Sequence, residues 1–411
     1  MTTVSLRKIL CALLAAMMLM SVTAAATGEQ VTTADGETFN YTVGATSNYV
    51  IDYGKYSDVD WSTKPTFKIG FAWMSSSDLL WAMYERAVRY ACDVLHCELV
   101  FVEWDTSSTT YIADATENLI QAGVDGIISG LIDGASVDAC IKAGVPFVGC
   151  LNQMNDEMLK TATASGVFCG NVIDDDYVSC YNSVEALYQA GCRNIAWIAA
   201  APGTTQAEIR SKGIMDAIAA HDDLKEVANY RYSGTNRDAA FEALEQIIAA
   251  NPELDGVALA NGLDVTNVMY NNDPDHYIKL GITDLCQSYV DLFKDEALIY
   301  CATDQFPTEV IAFTLLYNKL TGHEILSDPS QQMVRYFLEL HNYDEMVTMW
   351  NASLLNVFPY TAEQILDLCV EFNPAANEDL YTQYKNDYTI ENVTKTNQKY
   401  LDSIPYEGRL K

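Results

Sequence analysis

Positive charge is scarce in this chain. Its 24 Lys and Arg stand against 56 Asp and Glu, a formal net charge of −32. Phosphate backbones are bound by clustered cations, so the deficit argues against a nucleic-acid partner. Histidine is rarer still: the five at 96, 221, 276, 323 and 341 form no local cluster. There is no His-Glu-x-x-His pair and no Cys-x-x-Cys, so no zinc ligand set is displayed. The Gly-x-Ser-x-Gly elbow and the Walker loop are absent too. "GTTQAEIRSKG" lacks the Gly-Lys-Ser/Thr of a phosphate loop, and "SGLIDG" lacks the dinucleotide spacing. With no local nucleophile–base pair, the chain reads as a binding protein rather than an enzyme, with no cofactor and no metal.

Long apolar runs are missing except at the start. Arg7 and Lys8, the apolar stretch Ile9–Met20 and the small residues Thr23–Ala26 read together as a secretory signal over residues 1–26. That stretch is short for a membrane span. The protein is therefore expected outside the cytoplasm, in a periplasm or at the cell surface. Past Cys11, the ten remaining cysteines sit mostly in apolar runs such as "VPFVGC" and "LIYCAT". An exported chain could pair them, but the runs favour thiols packed as small core residues.

What is present is a core. Of 411 residues, 49% are hydrophobic and 11% aromatic, enough for two lobes and too many for a disordered chain. From Phe67 onward, short apolar runs alternate with helix-length amphipathic segments. The first strand series is Lys68–Met74, Glu98–Glu103, Gly126–Ser129, Pro146–Cys150 and Gly166–Gly170. The second is Asn194–Ala200, Glu226–Tyr232, Gly256–Ala260, Ile278–Thr283 and Leu298–Thr303. Strands buried on both faces and separated by helices imply parallel sheets covered on both sides.

The expected fold is thus α/β, with two similar doubly wound parallel-sheet lobes. Residues 27–64 form an extended lead-in, and residues 343–411 a helical extension with a polar, Tyr- and Asn-rich end. Lobe 1 is expected over 65–170 plus 306–328, and lobe 2 over 171–305 plus 329–342. The crossings are expected near Gly170, Gln305 and Asp328. In open α/β sheets, ligands bind beyond the carboxyl ends of the strands, so polar strand tips from both lobes should line one crevice. The acidic runs "IDDDY" (173–177) and "NNDPDHY" (271–277) lack the six-ligand spacing of calcium loops, and read as helix caps and turns.

The order "KIGFAWMSSSDLLW", "NLIQAGVDGIISG", "AGVPFVGCLNQ", "GTTQAEIRSKGIMDAI", "PELDGVALANG" and "CATDQFPTEVIA" resembles the type I periplasmic sugar-binding proteins. These are the ribose-binding-protein-like substrate-binding proteins of ABC importers. The likeness runs from about Phe67 to Leu326. The lac-repressor family shares such lobes but opens with a basic helix-turn-helix, where this chain has a secretion signal. The resemblance implies two lobes on a three-segment hinge and a pocket assembled residue by residue. Asp78, Leu80 and Trp81 fall on the first strand-to-helix turn, where Leu80 replaces a frequent aromatic. Leu151 and Asn152 fall where the family often has an acid–Arg pair. Arg210 with Gly213 matches an Arg-x-x-Gly at a helix opening. Asn261, Asp284 and Gln305 match an asparagine at a strand tip, a ligand-binding aspartate and a hinge-side glutamine. Asp304 lies beside Gln305, and Trp73, Trp104, Leu151 and Asp304 are weaker ligand contacts.

Such a set suits a neutral polyol. Acids and amides pair with hydroxyls, Arg gives parallel donors, and Trp offers a flat face to ring C–H groups. Excess acid disfavours anions and leaves a cation as an alternative ligand. The implied function is capture of a small sugar-like ligand in the inter-lobe cleft, for delivery to the membrane permease of an ABC importer. The alternative is a sensor for a nucleoside, autoinducer or cationic ligand that docks a signalling receptor.

Overall fold

The computed structural model describes residues 29–32, 38–43, 48–74, 79–105, 107–233, 236–303, 305–354, 360–403 and 410. Side chains are described from residue 50 onward, apart from 79–81 and 353–354. Residues 1–26, expected to be a secretory signal, thus lie outside the described residues. The lead-in is more than extended chain: β1 (Glu29–Thr32), β2 (Thr38–Val43) and β3 (Asn48–Ile51) form an antiparallel sheet.

Lobe 1 follows as β4 (Lys68–Trp73), α1 (Leu79–Val94), β5 (Glu98–Glu103), α2 (Tyr111–Gln121) and β6 (Gly126–Ser129). It continues through α3 (Gly134–Ala143), β7 (Phe147–Leu151), α4 (Asp156–Ala164) and β8 (Phe168–Asp174). Lobe 2 opens with α5 (Asp176–Gln189), β9 (Asn194–Ala200), α6 (Thr205–Ala219), β10 (Lys225–Tyr232) and α7 (Arg237–Ala250). It completes its run with β11 (Gly256–Leu259), α8 (Thr266–Asn272), β12 (Lys279–Thr283), α9 (Tyr289–Lys294) and β13 (Leu298–Thr303). The chain then returns through α10 (Pro307–Leu320), β14 (Met333–Arg335) and β15 (Leu338–Leu340).

The sheets have the orders β14-β8-β7-β6-β4-β5 and β10-β9-β11-β12-β13-β15, parallel except for β15 against β13. Every residue of β7, β8 and β11 is buried, as strands covered on both faces require. Helices begin at polar strand-end turns: Asp133, Asn155, Asp175 and Thr204 accept from backbone N–H groups of α3, α4, α5 and α6. All ten strands expected from the apolar runs form. The cysteines at 92, 140, 150, 169, 180, 192, 286, 301 and 369 are buried free thiols, and Cys97 is half-buried. No helix among the described residues is long and apolar enough to cross a membrane.

The crossings need correcting. Gly170 (φ +125°) sits at an irregularity of β8, not at its end, and the strand pairs on to Leu151↔Ile173. The chain leaves the first sheet after Asp174. Likewise β14 lies in the first sheet, with Arg335 opposite Asp174, while β15 joins the second. The third crossing therefore lies at 336–337, later than Asp328. A three-residue strand gives too little periodicity to read from sequence.

The C-terminal extension holds α11 (Tyr343–Met349), a π-helical segment (Trp350–Leu354), α12 (Ala362–Asp367), α13 (Glu378–Asn386) and α14 (Ile390–Ser403). It packs on both lobes: α11 on α9, and α12 on α1 and α10. The buried amide of Asn318 on α10 donates to Leu368 O and to the Tyr381 hydroxyl, and accepts from Val370 N. The lead-in closes over the same face through Tyr56–Asp367 (2.5 Å), Lys64–Glu371 (2.9 Å) and Tyr400–Asp52 (2.8 Å).

Candidate functional site

At the carboxyl ends of the second sheet, Asp284 follows β12 and Arg210 rises from the first turns of α6. Arg210 is 1% exposed, too buried for an arginine without partners. Its Nη1 and Nη2 donate to the two Asp284 carboxylate oxygens at 2.6 and 3.0 Å. Its Nε donates to Asp176 at 2.7 Å, and Nη1 also to Ala260 O at 2.8 Å. Bidentate pairing of this kind fixes the guanidinium plane. Burial opposes the arginine's charge, but Asp176 and Asp284 outweigh it and raise its pKa well above the ordinary value. Burial also pushes Asp176 up to about 6 against the pull of Arg210. Two acids around one buried cation leave this part of the site short of positive charge.

Gly213 explains how Arg210 gets there. On α6 it lies on the same face as Arg210, one turn on. A Cβ at Gly213 would meet Tyr177 O at 2.5 Å, so α6 packs on the backbone of α5 beside Asp176. Gly213→Ala should push the helices apart, costing about 1–3 kcal/mol by overpacking. Chemical denaturation would measure that loss, and it should come with weaker ligand binding because the reach to Asp176 lengthens.

Facing this node, lobe 1 contributes an aromatic cluster. Trp73, at the tip of β4, stacks on Tyr84 of α1 (centroids 4.7 Å, 25°) and lies 4.9 Å from Trp104. Trp73 is 3% exposed and its indole N–H is buried without a hydrogen-bond partner. The Tyr84 hydroxyl donates to Gln305 Oε1 at 2.5 Å, which leaves the amide nitrogen of Gln305 as the group to offer elsewhere. Burial first, then Asp284, Glu309 and Asp174, hold the Tyr84 phenol well above its ordinary range. Helix α1, the second crossing and the tips of lobe 2 thus converge.

Leu151 and Asp284 occupy matching tips of β7 and β12, and both take φ +68°. Left-handed backbone at a non-glycine residue is strained and clusters at functional sites. Leu151 is buried, and the side-chain oxygen of Asn152 is buried without a partner. Asn261 is half-buried beside Gly262, whose Cβ position is 3.2 Å from Asp284.

The structure therefore joins Arg210 to Asp284, groups Trp73 with Trp104, and puts Gln305 on the crossing. Asp78 and Asp304 lie outside the described residues, as do the side chains of Leu80 and Trp81. Sequence reading missed Asp176 and Tyr84. In "IDDDY" only Asp175 is the helix cap; Asp174 and Asp176 are buried ion-pair members. Tyr84 shares the apolar face of α1 with Met83, Ala87 and Ala91, so its hydroxyl has no distinguishing signal in sequence. In "NNDPDHY" the two asparagines end α8 and the chain then turns, with Asp273 accepting from Tyr277 N and Ile278 N.

Residues 69–322 match the family model described as periplasmic binding protein domain. A comparison with curated protein sequences finds no match. Among solved structures, the chain resembles an ABC transporter periplasmic solute-binding protein from Actinobacillus succinogenes with bound D-allose. The two share 21% identity at TM-score 0.57, over 68% of this chain and 98% of that one. A solute-binding protein from Agrobacterium vitis bound to α-D-tagatopyranose gives 18% and 0.58, over 68% and 96%. A periplasmic sugar-binding protein from Pseudomonas fluorescens gives 13% and 0.63, over 80% and 99%.

Proposed function

The chain belongs to the periplasmic binding protein domain family, and from that premise we propose that it captures a neutral sugar-like molecule between its lobes for delivery to the permease of an ABC importer. The observation that carries this reading is the Arg210–Asp284 pair at the strand tips, set against Gln305 and Tyr84 at the crossing. In this reading Asp284, Asp176 and the amide of Gln305 exchange hydrogen bonds with ligand hydroxyls. Among the described residues, one Arg210 N–H remains uncommitted on Nη2 and serves as a further donor. Asn152 and Asn261 add polar contacts from the other strand tips, and Trp73, Trp104 and Leu151 line the cleft more deeply. Asp78, Leu80 and Trp81, with Asp304 as a weaker contact, join the ligand set on the family likeness alone, Trp81 as its aromatic face.

The acid excess around Arg210 selects against anions: a ligand carboxylate or phosphate would meet Asp176 and Asp284, and the one cation bonded to them among the described residues, Arg210, is already paired. Closure is a hinge motion favoured by ligand, because only the closed form lets both lobes touch it. The sugar-bound relatives come from ABC transporters, which favours delivery to a permease over docking to a signalling receptor. The protein works after export, as a binding protein without catalytic activity. Mass spectrometry of denatured, freshly isolated protein tests the ligand class: a neutral polyhydroxy compound of monosaccharide size is expected. A carboxylated, phosphorylated or lipid species would overturn it.

A further inference from the structure

Besides the ligand site, the three crossings build a second buried polar node. Asp174 ends the first crossing strand, Thr308 lies in the first turn of the helix after the second crossing, and Arg335 ends the strand before the third. Arg335 Nη2 pairs with Asp174 at 2.9 Å, and its Nε donates to Thr308 Oγ1 at 2.9 Å. Thr308 Oγ1 in turn lies 3.0 and 3.1 Å from the Asp174 oxygens. Outside this node, the Arg335 guanidinium rests over the ring of Tyr388 from the extension, 5.1 Å away. Every crossing and the C-terminal extension meet here.

Next to Thr308 stands Glu309, fully buried, with neither carboxylate oxygen hydrogen-bonded. A buried ionised carboxylate without donors is among the costliest groups a protein can hold, whereas the neutral acid is tolerated. The titratable groups around it are named by the elements packed on α10. They are Asp174 on β8, Arg335 on β14, Tyr84 on α1 and Cys150 on β7. The strand β6 brings none, and α12 meets α10 at its far end, near Asn318. Arg335 is the only cation among them, and Asp174 already holds it.

We propose that Glu309 is a proton-binding site of the hinge: this arrangement of the three crossings holds its carboxyl neutral, and loss of that proton disfavours the arrangement. Burial pushes the carboxyl well above its ordinary range; the residue's own backbone N–H opposes the shift, Asp174 adds to it, and Arg335 opposes it more weakly. Asp174 is itself raised to about 7, chiefly by burial. The sign follows from linkage. The proton stays on Glu309 in the folded protein at pH values where an unfolded glutamate, with a pKa of about 4.3, has lost it. Its contribution is complete below that pH and falls away as pH rises through the raised value.

Glu309→Gln keeps the shape and removes the titration. Unfolding temperatures without ligand, from pH 5 to pH 8.5, should show the variant gaining on wild type as pH rises, by about 4 °C or more across the range. Glu309→Met gives the same comparison should the Gln variant not fold. Curves that stay parallel would overturn the proposal. Small-angle scattering tests the hinge directly: the wild-type radius of gyration should shift between the two pH limits, and that of the variant should not. A wild-type value that ignores pH would equally overturn it. Neither measurement uses ligand, so its failure leaves the sugar-binding reading untouched.

Discussion

Arg210→Ala is expected to abolish ligand binding and to destabilise the protein by about 3–5 kcal/mol. The size follows from what is left behind. Asp176 and Asp284 are buried to 4% and 6% exposure, and Arg210 is the only cation bonded to either among the described residues. Removing it strands two carboxylates in a low-dielectric site, each of which must ionise at a cost or take up a proton. Asp176, already raised by burial to about 6, loses the opposing pull of Arg210 and rises further, so the variant should recover stability as pH falls. Arg210→Lys separates the two effects: it keeps the charge but cannot span Asp176, Ala260 O and both Asp284 oxygens. It should fold better than the alanine variant yet lose at least about tenfold in affinity. Urea unfolding and calorimetry on the two variants measure both quantities.

The second large effect concerns the extension. A chain ended after Asn342 should fail to give soluble two-lobed protein. Ile365, Leu366, Leu368, Cys369 and Tyr381 are entirely buried. At about 1.5–3 kcal/mol for each large apolar side chain, their loss is comparable with the whole stability of a typical domain, about 5–15 kcal/mol. Truncation also strips Asn318 of its partners Leu368 O, Tyr381 and Val370 N inside the core, and removes Tyr388 from Arg335 at the hinge. Expression and size-exclusion chromatography of the shortened chain would show it. A soluble fragment that still binds ligand would mean the extension is an addition rather than part of the fold.

The strands were legible because apolar runs buried on both faces leave a continuous trace, and turn residues punctuate it. The hinge was not. Arg335 sits in "MVRYFLEL", and a lone arginine in an apolar run has to find a buried partner, which is a signal that a residue matters without saying where its partner lies. Asp174 and Asp176 flank a true helix cap, so capping alone accounted for the whole run. Arg210 and Asp284 were found through family likeness rather than chemistry, since 74 residues separate them in sequence. Asp176 and Tyr84 were invisible for the same reason: only the fold brings α5, α6 and the strand tips of lobe 2 together with α1 of lobe 1.

The inter-lobe site is expected to take a neutral sugar. Isothermal titration of the intact protein with hexoses, pentoses and inositol, alongside the matching uronates and sugar phosphates, tests it most directly. At least one neutral member should bind at about micromolar Kd or tighter, and its acidic counterpart should bind at least about tenfold more weakly. Silence from a folded protein across the neutral panel, or tighter binding of an acidic counterpart, would overturn the neutral-sugar reading.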